Sequence, residues 1–252
     1  MRRAILTIAL LVLAPLTALA QSDPVTLMVG TQHKMRAILY RPNGPGPYPG
    51  VLVLHASSGL TDRDTTYAAR LAGSGYVALV PAFMEAYGLT EASRRETFTV
   101  DARAVYDDLV AALDTLAHDT VVSGGRLGAV GFSNGGYFAA WLAATGKVKA
   151  AVAYYGAYTG AGSDRSLGRF RGAFDAGSAP LLILHGKADG TVPVEFAEKI
   201  AVIARDAGSP VEIQLYDGIG HGFDHQTANP VAKAATDDSW ARSQMFFAKY
   251  LK

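Results

Sequence analysis

The chain has 252 residues, 50% of them hydrophobic, and carries 23 basic against 22 acidic side chains, for a formal charge of +1. A near-neutral chain without basic runs gives no reason to expect nucleic acid as a partner. The sequence contains no cysteine, which excludes disulfide bonds and thiolate chemistry, and its length suits one large domain with its own core.

The first twenty residues have the pattern of an export signal. Arg2 and Arg3 form a basic start, residues 4–14 are apolar, and Ala-Leu-Ala fits a cleavage site. The apolar run is shorter than the roughly 20 residues needed to span a bilayer, so we expect cleavage rather than a membrane anchor. The sequence therefore predicts a signal peptide at residues 1–20, a single domain over residues 21–252, and a periplasmic or secreted location with no membrane partner after cleavage.

The rest of the chain is predicted to alternate strands and helices. Period-two patterns in residues 25–29 and 35–39 predict an antiparallel hairpin, and the proline-rich residues 41–50 predict a loop. Residues 50–55 form an unbroken apolar run, typical of a strand buried on both faces. The other predicted strands are residues 77–80, 127–130, 150–154, 180–184 and 211–215, and the predicted helices are residues 62–72, 100–116, 137–144, 194–207 and 233–251.

This alternation predicts an α/β fold with a mainly parallel central sheet and helices on both faces. In such sheets the functional site lies at the carboxyl ends of the strands. Catalytic candidates are therefore sought among the residues that directly follow predicted strands. Those positions are residues 55–58, 81–83, 133, 155–158, 185–189 and 217–221.

Ser133 is the candidate nucleophile. It lies in Gly-Phe-Ser-Asn-Gly at residues 131–135, between a predicted strand and an apolar helical segment. This pattern presents a serine on a strained turn above the sheet, and its glycines let the strand and the helix approach closely. The motif is short enough to occur by chance, so the alternative is a glycine-rich turn that only connects two elements. The rest of the chain must distinguish the two.

His221 and Asp189 are the candidate partners of this serine. A serine hydroxyl is a poor nucleophile at neutral pH and needs a base. His221 follows a predicted strand among glycines, and Asp189 follows the preceding strand, where its carboxylate could accept the imidazole Nδ1–H. The alternatives are structural: a loop histidine bonded to local backbone, and a turn aspartate that caps the next helix. The chain order Ser, Asp, His is the one that α/β-hydrolases use.

Three ordered motifs carry a resemblance to a known family. Gly-Phe-Ser-Asn-Gly-Gly at residues 131–136, His-Gly-x-x-Asp-x-x-Val-Pro at 185–193 and His-Gly-Phe at 221–223 closely resemble the dienelactone hydrolase family of α/β-hydrolases. The likeness covers nearly all of the chain after the predicted signal.

The resemblance implies the α/β-hydrolase fold and a triad of Ser133, His221 and Asp189. It also implies an oxyanion hole made by two backbone N–H groups, those of Ser57 and Asn134. The corresponding mechanism is acyl transfer through a serine ester, with neither a cofactor nor a metal ion.

Two residues depart from the family pattern. The founding members have cysteine where this chain has Ser133, and glutamate where it has Ala56. The two changes agree, because a serine activated by His221 needs no carboxylate to control the ionisation of a thiol. We therefore expect a serine esterase whose partner is a small-molecule ester, or a lactone. The alternatives are a dienelactone hydrolase proper, a peptidase of the same fold, and a catalytically silent binding scaffold.

Three residues are candidates for substrate contact. Phe83 and Tyr155 follow strands and could line an acyl or aromatic pocket, although such aromatics are as often part of the core. Arg169 lies in residues 160–179, an insertion-like segment that could cover the cleft and meet an anionic substrate. The alternative is a solvated excursion anchored by two phenylalanines.

Arg94 and Arg95 suggest the same contact with an anionic group, with less support from the sequence. No cofactor motif appears, and the histidines show no metal-like spacing with carboxylates. We therefore predict neither a cofactor nor a metal site.

Overall fold

The computed structural model describes residues 21–30, 33–160 and 162–252, so the predicted signal at residues 1–20 lies outside the described residues. Within these ranges, eight strands form one sheet in the order β1-β2-β4-β3-β5-β6-β7-β8. The strands are β1 (Gln21–Val29), β2 (His33–Arg41), β3 (Tyr48–Leu54), β4 (Val77–Pro81), β5 (Val122–Phe132), β6 (Ala150–Tyr154), β7 (Leu181–Gly186) and β8 (Val211–Tyr216).

The predicted hairpin is confirmed: β1 pairs antiparallel with β2, which pairs antiparallel with β4. All pairings from β4 to β8 are parallel. The carboxyl ends of these strands therefore meet at one edge of the sheet, where the site was expected.

Helices cover both faces of the sheet. They are α1 (Asp62–Gly73), α2 (Ala102–Ala117), α3 (Asn134–Ala144), α4 (Ser163–Ala173), α5 (Val194–Asp206) and α6 (Pro230–Leu251). The core on one face contains residues of α2, α3, α4 and α5, and the core on the other contains residues of α1 and α6. Side chains of β3 alternate between them, with Leu52 and Leu54 in the first core and Val51 and Val53 in the second. The predicted α/β-hydrolase architecture is confirmed.

Several element boundaries differ from the predictions. β3 begins at Tyr48, inside the predicted loop, because the Tyr48 N–H donates to the Val121 carbonyl at 2.8 Å. β5 begins at Val122, because Val122 is paired with Tyr48 despite the glycines that follow it. Three short 3₁₀ helices were not predicted. They are Glu85–Tyr87, Glu96–Phe98 and Phe223–His225.

Helix α4 lies within the segment predicted to be an insertion. Phe170 and Phe174 are buried in the core shared with α3, as expected of two anchoring aromatics. None of the helices in the described part of the chain is both long enough and apolar enough to cross a membrane.

Candidate active site

Ser133 lies at the sharp turn between β5 and α3. Its backbone has φ 51° and ψ −106°, a conformation that costs a residue with a Cβ on the order of 1–3 kcal/mol. Three backbone hydrogen bonds hold the turn. The Ser133 N–H donates to the Tyr154 carbonyl at 3.1 Å, and the Ser133 carbonyl accepts from Tyr137 N–H at 3.1 Å and Ala157 N–H at 2.9 Å. The end of β6, the loop that follows it and helix α3 therefore maintain the strained conformation.

Two glycines make this turn sterically possible. A Cβ added at Gly131 would lie 2.1 Å from the Gly135 carbonyl oxygen, and one added at Gly135 would lie 2.1 Å from the Leu54 carbonyl oxygen. Neither backbone oxygen can move away without displacing a strand or the helix. Close packing of β5, α3 and β3 therefore requires glycine at both positions.

The side chains of Ser133, His221 and Asp189 form a continuous hydrogen-bonded line. His221 Nε2 lies 3.0 Å from Ser133 Oγ, and His221 Nδ1 lies 2.7 Å from Asp189 Oδ2. Because the carboxylate can only accept, the imidazole proton is assigned to Nδ1, which leaves Nε2 free to accept the serine hydroxyl proton. The structure thus brings together three residues predicted from three separate motifs.

The Asp189 carboxylate is fully buried and accepts hydrogen bonds on both oxygens. Oδ1 accepts from the N–H groups of Thr191 and Val192 at 2.8 Å each, and Oδ2 lies 3.3 Å from His185 Nε2 as well as accepting from His221. Burial raises the pKa of Asp189, but the bonds from His185, His221 and Val192 N–H outweigh it and hold the pKa well below its usual range. The group therefore stays ionised beside the imidazole.

The two predicted oxyanion donors belong to residues that line one cavity with Ser133. Asn134 is the first residue of α3, so its N–H has no acceptor within the helix. Ser57 lies in a turn closed by the Gly59 N–H, which donates to the Ala56 carbonyl at 3.2 Å. Both residues line the cavity together with Ser133. Backbone donors in this position can stabilise negative charge that develops on a substrate oxygen.

The cavity beside Ser133 has a volume of about 490 Å³ and an unexpectedly charged wall. Glu91, Arg94 and Arg95 come from the segment between β4 and α2, which the sequence left without an assigned element. The two arginines were only the weaker candidates for binding an anionic group. The described residues that line it are Ser57, Glu91, Arg94, Arg95, Phe98, Ser133, Asn134, Ala157, Thr159, Gly160, Thr191, Val192 and His221.

The predictions of substrate contact for Phe83 and Tyr155 are wrong. Both side chains are fully buried, and neither lines the cavity. Phe83 stacks on the ring of His55 with 4.1 Å between centroids. Tyr155 donates its hydroxyl to Asp224 and packs its ring edge-on against His221, at 4.6 Å between centroids. The aromatic rings at these strand ends therefore pack against His55 and His221 within the core, and they do not face the cavity.

Arg169 also lies away from the cavity lining. Its guanidinium lies 4.6 Å from the centre of the Trp141 ring and donates a hydrogen bond to the Tyr137 hydroxyl. Arg169 therefore links α4 to α3. The interpretation of Arg169 as a substrate ligand is corrected accordingly. In the segment predicted to cover the cleft, Gly160 lines the cavity, whereas none of the α4 side chains that the structure describes, residues 165–173, does.

In the described ranges, no group of three or more His, Asp or Glu side chains is arranged to hold a metal ion.

Comparison with known proteins gives three consistent similarities. The sequence profile of the dienelactone hydrolase family matches residues 35–251. An Escherichia coli K12 protein, provisionally named a carboxymethylenebutenolidase, is 32% identical in an alignment of 220 positions that covers 81% of this chain and 78% of the relative. The carboxymethylenebutenolidase of Rhodococcus opacus is 32% identical in an alignment of 228 positions that covers 82% of this chain and 89% of the relative.

A similar fold occurs in a crystal structure from Klebsiella pneumoniae subsp. pneumoniae MGH 78578, provisionally described as a dienelactone hydrolase. The two structures superpose with a TM-score of 0.74 at 25% sequence identity. The superposition covers 91% of this chain and 100% of the other.

Proposed function

The chain belongs to the dienelactone hydrolase family, and on that basis we propose that it is a serine hydrolase that cleaves carboxylic esters, and also lactones, through an acyl-enzyme on Ser133. The observation that carries this proposal is the line from Ser133 Oγ through His221 to Asp189, with contacts of 3.0 and 2.7 Å. These distances suit transfer of the serine proton to the imidazole.

The first half of the reaction forms the acyl-enzyme. The Ser133 hydroxyl passes its proton to His221 Nε2 while Oγ attacks the carbonyl carbon, and the carbonyl oxygen becomes an oxyanion. The N–H groups of Ser57 and Asn134 stabilise that charge, where the loss of one donor typically costs on the order of 3 kcal/mol of barrier. The intermediate then expels the alkoxide, which takes the proton from His221 and leaves as an alcohol.

The second half releases the acid. Water gives a proton to His221 Nε2 and adds to the acyl carbon, and collapse of the new intermediate returns the proton to Ser133 Oγ. In a lactone the alcohol stays attached to the acyl group, so a single hydroxy acid is released. Throughout both halves Asp189 accepts the Nδ1–H and stabilises the imidazolium.

The charged wall suggests which esters fit the cavity. Arg94 and Arg95 both line it, against one acidic side chain among the described residues, Glu91. We propose that one arginine binds an anionic group on the substrate, such as a second carboxylate. Guanidinium groups suit this recognition because their N–H groups match the two oxygens of a carboxylate.

Intact-mass measurement after treatment with a fluorophosphonate tests the proposal. The wild-type protein is expected to gain one adduct and to hydrolyse p-nitrophenyl esters with a burst, and Ser133→Ala is expected to do neither. Hydrolysis that survives in Ser133→Ala would contradict the acyl-enzyme. A folded wild-type protein with neither adduct nor turnover would support a silent binding scaffold instead.

A peptidase of the same fold is a further outcome of this test, recognised by turnover of peptide amides in addition to p-nitrophenyl esters, with both activities lost in Ser133→Ala.

We also propose that the chain is exported and cleaved before Gln21, on the pattern of residues 1–20 alone. The mass of protein recovered from a periplasmic extract tests this, since retention of residues 1–20 would contradict it.

A further inference from the structure

His55 touches both of the loops that carry the proposed oxyanion donors. It directly follows β3 and its side chain is fully buried. Its backbone carbonyl accepts the N–H of Gly135, in the first turn of α3, at 3.1 Å. Its ring Nδ1 lies 2.7 Å from the carbonyl oxygen of Ala56, in the turn that contains Ser57. One buried residue therefore links the start of α3 to the turn that contains Ser57.

The contact with Ala56 fixes the position of the proton on the ring. A carbonyl oxygen can only accept, so Nδ1 carries the hydrogen and donates it. The opposite nitrogen, Nε2, has no hydrogen-bond partner in the part of the chain that the structure describes. Burial lowers the pKa of His55, although the bond to Ala56 raises it in part, and the ring is neutral. His55 is thus a neutral donor with a defined tautomer.

Holding the Ala56 carbonyl also determines where the Ser57 N–H points. The two groups belong to one planar peptide, and in a trans peptide they point in opposite directions. The only cis bond among the described residues is Gly46–Pro47, so the bond between Ala56 and Ser57 is trans. The Ala56 oxygen accepts from His55 Nδ1–H and from Gly59 N–H at 3.2 Å. These two donors fix the direction of the Ala56 carbonyl oxygen, so the Ser57 N–H points in the opposite direction.

We propose that His55 is a positioning residue for the oxyanion hole: its Nδ1–H holds the Ala56 carbonyl so that the Ser57 N–H is directed at the oxygen of the tetrahedral intermediate. This inference rests on the proposed function, in which Ser57 is a donor. It also accounts for Phe83, which stacks on His55 with an angle of 14° between the rings and fixes the plane in which Nδ1 lies. Neither side chain touches the substrate.

Two substitutions separate the donor from the packing of the ring. His55→Phe keeps an aromatic ring against Phe83 but removes the N–H, whereas His55→Asn loses the ring but can place an amide N–H at the position of Nδ1. We expect His55→Phe to lower kcat for a p-nitrophenyl ester by about 10- to 100-fold with KM nearly unchanged, because the donor acts on the transition state. His55→Asn is expected to stay within about threefold of the wild-type kcat.

A trifluoromethyl ketone gives a second readout, because its adduct with Ser133 places an oxyanion in the hole. Its Kd is expected to rise by about 10- to 100-fold in His55→Phe and to change little in His55→Asn. If His55→Phe does not fold, His55→Gln replaces it, since the longer side chain places its amide beyond the reach of Ala56. His55→Gln is then expected to show the losses predicted for His55→Phe.

The opposite ranking, with His55→Asn less active than His55→Phe or His55→Gln, would overturn the proposal and assign His55 a packing role. Equal activity in all variants, or a change in KM alone, would overturn it too. Ser133→Ala, assayed alongside, keeps the two proposals apart. If wild-type turnover depends on Ser133, the proposed function stands whatever the His55 variants do.

Discussion

The Asp189 carboxylate accepts more hydrogen bonds than a group that only orients an imidazole would need. Two backbone N–H groups and two histidines surround it, and the side chain is fully buried. Such a group contributes to folding stability in addition to its proposed role beside His221, because its pKa in the folded protein lies below the value of about 3.9 expected in an unfolded chain. Lowering the pH should therefore reduce the contribution of Asp189 to folding stability.

We predict that Asp189→Asn changes the pH dependence of unfolding. A lowered pKa stabilises the folded state fully above about pH 4, and this stabilisation is lost as the pH falls towards the folded pKa. Urea unfolding should thus show Asp189→Asn well below wild type at pH 7, with a smaller difference at pH 3. The control is Asp217→Asn, because the Asp217 side chain is 87% exposed. A difference for Asp189→Asn that is constant between pH 7 and pH 3 would contradict the linkage.

We predict that replacing Arg94 or Arg95 alters substrate selectivity. At least one of Arg94→Gln and Arg95→Gln should lower kcat/KM for a carboxylate-bearing ester by about tenfold, or about 1.4 kcal/mol. The neutral ester of equal length should react at nearly the wild-type rate. Arg169→Gln is the matched control, because that guanidinium contacts Trp141 and Tyr137 instead of the cavity. Unchanged selectivity in both cavity variants would remove the anionic-substrate proposal.

At the scale of single residues, the sequence predicted the hydrogen-bonded set of Ser133, His221 and Asp189, but it did not predict which other residues line the cavity. Ser133 and His221 each lie in a recognisable motif just past a strand, where parallel topology brings side chains together. Phe83 and Tyr155 also follow strands, yet their side chains turn into the core. Which aromatics face a cavity depends on the path of neighbouring loops, here residues 85–99, and that path has no periodic signal.

At the scale of elements, the turn between β5 and α3 depends on backbone contact between three elements. We predict that Gly135→Ala destabilises the protein by about 2 kcal/mol or more, because its Cβ would overlap the Leu54 carbonyl oxygen. Activity should fall as well, since the displaced helix carries Asn134. Gly125→Ala is the control, with no atom within 4 Å of the added Cβ and an expected change below about 0.5 kcal/mol. Thermal unfolding compares the two, and equal midpoints would contradict the steric argument.

The positions of the elements followed from the sequence more closely than their ends. β6 spans Ala150–Tyr154, as predicted, because an apolar run with clear flanks determines a buried strand. The start of β5 could not be predicted, since residues Ser123, Gly124 and Gly125 have weak strand propensity and the strand there depends on pairing with β3. Long-range hydrogen bonds of this kind leave no local pattern in the sequence.

At the scale of the whole molecule, two separate cores stabilise the sheet, and α6 completes one of them. We predict that Phe247→Ala lowers the free energy of unfolding by about 3–5 kcal/mol, because this fully buried ring packs between the sheet and Tyr76. Met245→Ala, on the same helix but 64% exposed, should change it by less than about 0.5 kcal/mol. Urea denaturation measures both. A loss in Phe247→Ala as small as that in Met245→Ala would mean that α6 contributes little to the core.

The fold class followed from the alternation of strands and helices, which requires a parallel sheet covered on both faces. The order of strands within the sheet did not follow from it, because β3 pairs with both β4 and β5 through contacts distant in sequence. Family resemblance supplied what periodicity could not, since three short motifs in the right order identify one arrangement of the same elements.

The hydroxyl at position 133 also determines how this site would respond to peroxide. A thiolate at the same position in the cavity would be oxidised to sulfenic and then sulfinic acid, whereas a serine hydroxyl does not undergo this oxidation. The sulfur that the structure places against the site is Met84 Sδ, 3.6 Å from the Asn134 side-chain nitrogen, and it is fully buried. Hydrolysis by this protein should therefore persist at peroxide concentrations that would inactivate a cysteine-dependent hydrolase.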